Sequence, residues 1–312
     1  MALQYLRKIG LTVSGSAGQR DFSTLRVVFH VEQQTRQTPN IAEISIYNVS
    51  RQTAQQFIDK EFTKVTLTAG YEGNPGVIFK GNIKFSRFGQ ETPVDKRLDI
   101  FCGDGDEPYV HAVTNKALPS GWTHKDVVDA ALEPMKAFGV TMGYVAGLPT
   151  TKFNGPRILF SNARDILRDT ARATKTEWSI QNGQLQVLPY DGTLPGSEII
   201  LNSDTGLIGL PVQTPGGIVV RSLLNPIVMP GRVIRINNGS IQRASPDLSI
   251  SGELTNAKLP SIDADGRYKV IVVNRIGDTH GGPGGPWFNE MTCLSADGRG
   301  YVPQNLRQYV PQ

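Results

Sequence analysis

Charge, cysteine and long apolar runs are all scarce in this sequence, and each shortage excludes a class of protein. Charged residues are 19% of the 312 residues, and no run of five like charges occurs, which argues against a nucleic-acid-binding arm or a polybasic membrane patch. No apolar stretch approaches the roughly 18 residues that span a membrane, so we predict no membrane insertion of this chain. No continuous apolar segment follows Arg7 and Lys8, so we expect no signal peptide.

Cysteine and histidine are too sparse to indicate a site. Cys102 and Cys293 form no CxxC motif and suit a reducing compartment with free thiols, although a disulfide between them stays open. The four histidines match no metal-binding motif and lie far apart, at His30, His111, His124 and His280. Asp104, Asp106 and Glu107 lack the full calcium-loop pattern, so we interpret them as a turn at a domain boundary. We therefore predict no catalytic residue, no metal and no cofactor.

Glycine and proline, by contrast, are abundant. The 33 glycines and 20 prolines exclude a coiled coil or an idealised helical bundle, both of which are poor in turn formers. Apolar residues recur along nearly the whole chain, which argues against disorder. This composition predicts many short strands joined by turns, and the length suggests two or three domains.

Short strands dominate the first hundred residues. Alternating apolar residues predict strands over 25–31, 41–47, 64–69, 77–85 and 98–102. Ser50 is a predicted helix N-cap between the second and third of these strands. Strands and turns at this spacing indicate a small barrel or sandwich.

The middle of the chain has a different pattern. Thr123 is predicted to cap a helix, with Pro134 inside it as a potential kink, and a second helix is predicted to begin near residue 161 or 162. The strongest local signal is Asn182-Gly183 between two alternating runs, which predicts a two-residue hairpin. Residues 106–190 therefore have the pattern of a small α+β unit.

Strands return after about residue 195, and their order hints at a duplication. Three segments can be laid over the first β region: 64–67 on 232–235, 79–83 on 268–272, and 100–105 on 292–298. This alignment pairs Phe79 with Tyr268 and makes Cys102 and Cys293 equivalent. Chance is the open alternative, because β-rich sequences align easily.

Two further segments suggest contacts with other molecules. Residues 277–286 are rich in glycine but lack the ending of a phosphate-binding loop, so we predict a hairpin tip that a neighbour orders. At the end of the chain, Tyr301-Val302-Pro303-Gln304 recurs as residues 309–312. The spacing of proline favours an extended arm that docks on an adjacent subunit, and a frayed end is the equal alternative.

One motif resembles a known family. Residues 39–50, PNIAEISIYNVS, resemble the P-N-x-A-x-I-x-I-Y-N-[LV]-S signature of the baseplate or tail hub proteins of tailed bacteriophages, the family of the T4-type and Mu-type hubs. Residues 65–70 with 77–81 match a second part, a strand-turn-strand that ends in F-x-G. The resemblance is specific mainly over residues 25–105.

This resemblance implies a mainly β fold with an α+β insertion. Two tail-tube-like β-barrel domains, 1–105 and 195–300, would be joined by an α+β domain, 106–194, and followed by an extended tail, 301–312. It also implies a homotrimeric ring of pseudo-sixfold symmetry between a hexameric tail tube and a trimeric spike. Double-stranded DNA would pass through the lumen without specific binding, and other baseplate or tail proteins would be further partners. The protein would be a virion component assembled in the bacterial host cytoplasm.

Nine residues are the candidate subunit or partner contacts. These are Gln34, Arg36, Asn74, Pro75, His280, Pro283, Trp287, Tyr301 and Tyr309. Two alternatives to the tail hub stay open. One is the hub part of a contractile injection or secretion spike, and the other is a tail-tip hydrolase that degrades peptidoglycan.

Overall fold

The structure, a computed structural model, describes residues 6–214, 216–241, 266–282 and 284–296. The helices are α1 (Arg51–Ile58), α2 (Asp106–His111), α3 (His124–Lys136) and α4 (Ala163–Thr174). The strands up to the middle of the chain are β1 (Arg7–Gly15), β2 (Gly18–Asp21), β3 (Val27–Gln34), β4 (Asn40–Tyr47), β5 (Phe62–Tyr71), β6 (Gly76–Gln90), β7 (Lys96–Asp104), β8 (Val113–Leu118) and β9 (Thr141–Val145). The later strands are β10 (Arg157–Asn162), β11 (Thr176–Gln181), β12 (Gln184–Pro189), β13 (Ile199–Ile200), β14 (Leu207–Thr214), β15 (Gly217–Leu223), β16 (Val233–Arg235), β17 (Arg267–Asp278) and β18 (Trp287–Ser295).

The two β regions form one continuous sheet. Its main path runs β14-β15-β18-β17-β3-β4-β7-β6-β5-β1-β2, with β16 beside β17 and β13 beside β16. Two smaller sheets, β10-β8 and β11-β12-β9, lie in the middle of the chain. The prediction of a mainly β fold with an α+β insertion is therefore confirmed.

The prediction that each β region closes into its own barrel is not confirmed. Over the described residues the sheet stays open, ending at β2 on one side and β14 on the other. The physical reason is that β3, at the edge of the first region, pairs antiparallel with β17 of the second region. Alternation along a strand shows which face is buried, but it does not show which neighbour satisfies a strand edge.

Strand order supports an internal duplication. The first region runs β3-β4-β7-β6-β5 and the second runs β14-β15-β18-β17-β16, and corresponding strands follow in the same order along the chain. Cys102 of β7 lies between Ala42 and Ile83, and Cys293 of β18 lies between the corresponding Ile218 and Val270. The two cysteines therefore occupy equivalent positions, as the sequence comparison predicted.

A shared bulge fixes the register of this repeat. The pairing of β6 with β7 shifts between Ile83 and Phe85, and that of β17 with β18 shifts between Val270 and Val272. The match of Phe79 with Tyr268 is therefore wrong by two residues. A shift of two keeps each side chain on the same face, so alternation alone did not reveal it.

Three apolar cores underlie these sheets. The first is built from residues between 11 and 102 together with Leu224 and Trp287, the second from residues 112–187, and the third from residues 201–293. Each core falls within one predicted domain, with two exceptions. Leu224 and Trp287 belong to the predicted domain 195–300 but pack in the first core. The domain boundaries themselves stay predictions.

Local signals in the middle unit are confirmed. Thr123 caps α3 in a reciprocal capping box with Asp126, and α4 begins after Asn162. Asn182 and Gly183 form the turn between β11 and β12 with φ angles of 53° and 78°, which suits a two-residue hairpin. Among the described helices, none is long and apolar enough to cross a membrane.

Candidate assembly surfaces

The junction between β3 and β17 joins the two β regions. Seven residue pairs run in antiparallel register from Val272 opposite Gln34 to Asp278 opposite Val28. Such a ladder satisfies backbone groups that would otherwise form two exposed edges. The contacts on either side of this ladder show how the chain holds its two β regions together.

Trp287 is the apolar anchor of the junction. Its ring lies edge-on to Phe29, with centroids 5.4 Å apart, and its indole N–H donates to the carbonyl of Gly70 at 3.2 Å. The Arg7 guanidinium lies 5.6 Å from the centroid of the ring. Because Trp287 is only 2% exposed, its side chain is part of the core and not of the surface proposed for a partner.

An ion pair closes one end of the junction. Arg26 Nη2 lies 2.9 Å from Asp278 Oδ2, and the guanidinium stacks 4.5 Å from the Tyr47 ring centroid. Burial acts to raise the pKa of Asp278. The hydrogen bonds from Arg26 and from the His280 N–H outweigh it and hold that pKa below its usual value.

Arg275 is fully enclosed inside the junction. Its guanidinium donates to the Gln33 side-chain oxygen and to the backbone carbonyl of Val228. Burial lowers the pKa of Arg275 because no water stabilises its charge. The Gln33 amide also donates to the Asn182 side chain at 3.2 Å, so the network reaches the hairpin of the middle unit.

Asp104 holds that hairpin against the first β region. Its carboxylate accepts hydrogen bonds from the backbone N–H groups of Asn182 and Gly183, the latter at 2.9 Å. Asn40, beside Asp104 in the ladder, donates to the Ile180 carbonyl at 2.8 Å and to the Gln181 side chain at 3.0 Å. Burial raises the pKa of Asp104 to about 7, against the lowering effect of these donors.

The acidic cluster after β7 is therefore a structural turn. Asp106 begins α2 and forms an ion pair with Lys84 at 2.8 Å, while Asp104 faces the hairpin. Within the described ranges no group of three or more His, Cys, Asp or Glu side chains could hold a metal ion.

The cysteines and histidines also have structural surroundings. Cys102 and Cys293 are free thiols, each buried in its own sheet region, and burial raises both thiol pKa values. His124 lies edge-on to Trp122, with ring centroids 6.2 Å apart. Burial, assisted by the charge of Arg157, lowers the pKa of His124.

The sequence-predicted contact residues fall at opposite ends of the sheet. Gln34 ends β3, where its carbonyl accepts a hydrogen bond from Gln181, and Arg36 follows in the half-buried segment before β4. Asn74 and Pro75 lie in the turn between β5 and β6, with Pro75 exposed. These four residues do not form one surface, and their contacts with partners stay a proposal.

Arg7 connects two of the predicted contact loops. It pairs with Tyr71 at the end of β5, and its guanidinium donates to the carbonyls of Asp278 and Gly285 at 3.2 and 2.9 Å. The turn that holds Asn74 and the loop that holds the exposed His280 therefore lie at the same end of the sheet. Pro283, Tyr301 and Tyr309 lie outside the described residues.

Sequence reasoning missed the residues that connect the two β regions to each other and to the middle unit. Arg7, Asp104 and Arg275 connect segments that are far apart in the chain; Arg275 and Gln33 are separated by 242 positions. The one available signal was Arg275, a charged residue in the mainly apolar strand β17. A charged side chain is rarely buried without a partner.

Exposed apolar side chains lie along β14, the end strand of the described sheet, and on the second half of β6. On β14, Ile208, Leu210 and Val212 are exposed, with Leu210 at 62%, and on β6 Phe85 is 55% exposed. The other end of the sheet, β2, carries the exposed residues GQRD and has the polar character of a protected edge. A second exposed apolar strip lies on β10, where Ile158 and Phe160 are 78% and 75% exposed.

No protein-family model matches the sequence, and no curated protein matches it. Solved structures with a similar fold come from tail proteins. The prophage MuSo2 43 kDa tail protein from Shewanella oneidensis is 9% identical, with a TM-score of 0.54 over 96% of this chain and 99% of that chain. The tail protein from Neisseria meningitidis MC58 is 10% identical, with a TM-score of 0.56 over 96% and 99% of the two chains.

A third similar structure comes from a secretion system. The E. coli c3393 protein, a component of the type VI secretion system, is 10% identical, with a TM-score of 0.50 over 93% of this chain and 77% of that chain. It is described as structurally similar to the T4 bacteriophage tail proteins gp27 and gp5. The resemblance to tail hub proteins is therefore confirmed as a resemblance in fold.

Proposed function

We propose that this chain is a structural hub protein of a phage tail or baseplate. It forms a homotrimeric ring of pseudo-sixfold symmetry that connects a hexameric tail tube to a trimeric spike. The observation that carries this proposal is the duplication of one five-strand unit within a single chain, with both copies in one sheet. The likeness in fold to two tail proteins over almost their whole length supports it.

Symmetry matching explains why a duplication is useful. A sixfold partner needs six similar surfaces, and a threefold partner needs three identical ones. Three chains with two similar units each meet both needs. Six tube-like units arranged in this way would close between chains, which accounts for the open sheet of the single chain.

The remaining parts of the proposal follow from this position. The ring encloses the channel through which double-stranded DNA passes without specific binding, so no base-reading motif is required. The partners are the tail tube protein, the spike protein and other baseplate or tail proteins. The chain is located in the virion tail, is assembled in the bacterial host cytoplasm and has no enzymatic role.

A second candidate is the hub part of a contractile injection or secretion spike. The likeness in fold to the E. coli secretion component favours it. The same duplicated units would then match a secretion tube instead of a phage tube. The genes that neighbour this one distinguish the two, since capsid genes are needed by a phage and not by a secretion spike.

Native mass spectrometry and cryo-electron microscopy test the proposal. We expect a trimer with six similar lobes, formed by the chain alone or when it is mixed with its tail tube protein. A chain that stays monomeric in both samples would contradict the proposal. Clearing of peptidoglycan in a zymogram would instead favour the tail-tip hydrolase.

A further inference from the structure

The strands that correspond to the β3–β17 junction are both present in the same chain, and among the described residues they do not pair with each other. By the repeat, β14 corresponds to β3 and β6 corresponds to β17. β3 pairs with the second half of β17, from Val272 to Asp278, whereas β16 pairs only with residues 267–269. The corresponding second half of β6 has only β7 as a strand partner among the described residues, because β5 pairs with residues 76–82.

We infer that β14 of one chain pairs with the second half of β6 of a second copy, as β3 pairs with β17 within the chain. This inference rests on the proposed ring and specifies its subunit interface. Every junction of the ring would then pair corresponding strands, and internal junctions would alternate with intermolecular ones. Such a heterologous contact closes into a ring when the rotation fits.

The shared bulge sets the register of this interface. It makes Phe85 equivalent to Val272, so Gly89 of β6 corresponds to Ile276 of β17. On the other strand, Val212 corresponds to His30, because each occupies the same place opposite the matching strands β15 and β4. Since Ile276 lies opposite His30, Val212 of one chain lies opposite Gly89 of the next.

The chemistry of both edges fits a partner strand. Ile208, Leu210 and Val212 expose apolar side chains along β14, and Phe85 does so on β6. An exposed apolar edge invites pairing with another chain, and proteins normally protect such an edge unless it is used. The polar edge strand β2 shows that this chain protects the edge that the interface does not need.

One difference separates the two junctions. The pairing of β14 with β15 shifts between Ile208 and Val212, so three residues, 209–211, occupy the place of Phe29 alone in β3. Phe29 contacts Trp287 inside the chain. The exposed Leu210 lies within the inserted segment, so it can contact the neighbouring copy where Phe29 contacts its own chain.

Engineered cysteines test this register in the full chain. Gly89 has open space where a Cβ would lie, and Val212 is exposed, so both positions accept cysteine. The double variant Gly89→Cys/Val212→Cys, treated with a short bis-maleimide, is expected to give covalent dimers and trimers. The native thiols, Cys102 and Cys293, are buried and do not compete.

Two control variants make the result decisive. The pair His30→Cys/Ile276→Cys occupies the equivalent internal positions and is expected to link within one chain, which shows that the reagent reaches paired strands. The pair Gly89→Cys/Val113→Cys, with Val113 exposed elsewhere, is expected to give no ladder of covalent oligomers.

Native mass spectrometry of the same samples separates the two ways in which the idea can fail. If trimers form and the internal pair links, but Gly89→Cys/Val212→Cys does not, the ring stands and the proposed interface is wrong. If the chain is monomeric even with its tail tube protein, the proposed function and the interface both fail. Covalent trimers that depend on both cysteines support the interface.

Discussion

Individual buried side chains reinforce the backbone ladder between the two β regions. Trp287 fills the first core from the last segment of the chain, and its indole N–H satisfies the carbonyl of Gly70. Its removal therefore leaves a cavity at the junction and takes one hydrogen-bond donor from the Gly70 carbonyl.

We predict that Trp287→Ala lowers the free energy of unfolding by about 3–5 kcal/mol, the range for removing a buried aromatic side chain. Phe288→Ala is the matched control, because Phe288 is next in β18 and is only half-buried. The control should lose clearly less. Urea denaturation of both variants measures this, and equal losses would show that Trp287 has no special role.

Asp104, which holds the Asn182-Gly183 hairpin against the first β region, makes the stability of the chain depend on pH. Its pKa is raised from 3.8 to about 7 by burial, so the folded chain binds the proton more tightly than the unfolded chain does. The folded state therefore loses stability from this group as pH rises between these two values. Below 3.8 the carboxyl is protonated in both states, and the loss is absent.

Asp104→Asn removes this titration. We expect the stability of the wild type relative to the variant to be greater at about pH 4 than at about pH 8. Urea unfolding of both proteins across this interval measures the difference. If the difference in unfolding free energy between wild type and variant did not change with pH, Asp104 would have its ordinary pKa in the folded chain.

Residue types predicted some of these roles and hid others. Trp287 is a candidate partner contact in the sequence analysis, and only the structure shows that its side chain is buried. The partners of Asp104, Asn182 and Gly183, lie 78 and 79 positions away, and no local pattern announces such a contact. Buried polar networks are therefore the part of the molecule that sequence reasoning reached least.

At the scale of elements, local signals were reliable. The capping box of α3 and the Asn182-Gly183 turn both depend on residues within a few positions of each other. The turn also needs backbone angles that glycine adopts without steric cost. Hairpins and helix ends could therefore be predicted, whereas the partner of each sheet edge could not.

We predict that Gly183→Ala lowers the free energy of unfolding by about 1–2 kcal/mol, because Gly183 has a φ of 78° and a Cβ is disfavoured there. Space is not the cause, since the closest atom to the added methyl group, the Gly139 carbonyl oxygen, would be 3.7 Å away.

Gly155→Ala is the matched control for this change. The φ of Gly155 is not positive, and there is open space where the Cβ of an alanine would lie. The free energy of unfolding of this variant should therefore stay the same or rise slightly. Thermal or urea unfolding compares the two variants. Equal effects at Gly155 and Gly183 would show that the turn conformation is not under this constraint.

At the scale of the whole molecule, the sequence predicted the kind of units and not their connection. The resemblance at residues 39–50 and the repeat both indicated two related β regions, and the order of strands supports that duplication. The resemblance implies two closed barrels, but the strand spacing within one region does not show which neighbour its edge strand pairs with. The pairing of β3 with β17 instead joins the two regions, and among the described residues their counterparts, β14 and the second half of β6, are not paired with each other.

The end of the chain supplies a separate prediction about assembly. Residues 301–312 repeat Tyr-Val-Pro-Gln, and a proline-spaced segment favours an extended conformation that can lie along a neighbouring subunit. These residues lie outside the described structure, and the prediction is that they add contacts between chains and no core of their own. Removing it should therefore weaken assembly more than it weakens the stability of the single chain.

Truncation after residue 300 tests this directly. We expect the melting temperature of the isolated chain to change little, while the fraction of trimer in native mass spectrometry falls. The double variant Tyr301→Ala/Tyr309→Ala keeps the length of the arm and removes its two aromatic side chains. It should reproduce the loss of trimer if the tyrosines make the contact. A melting temperature that falls as far as the trimer fraction would instead place these residues in the fold of the single chain.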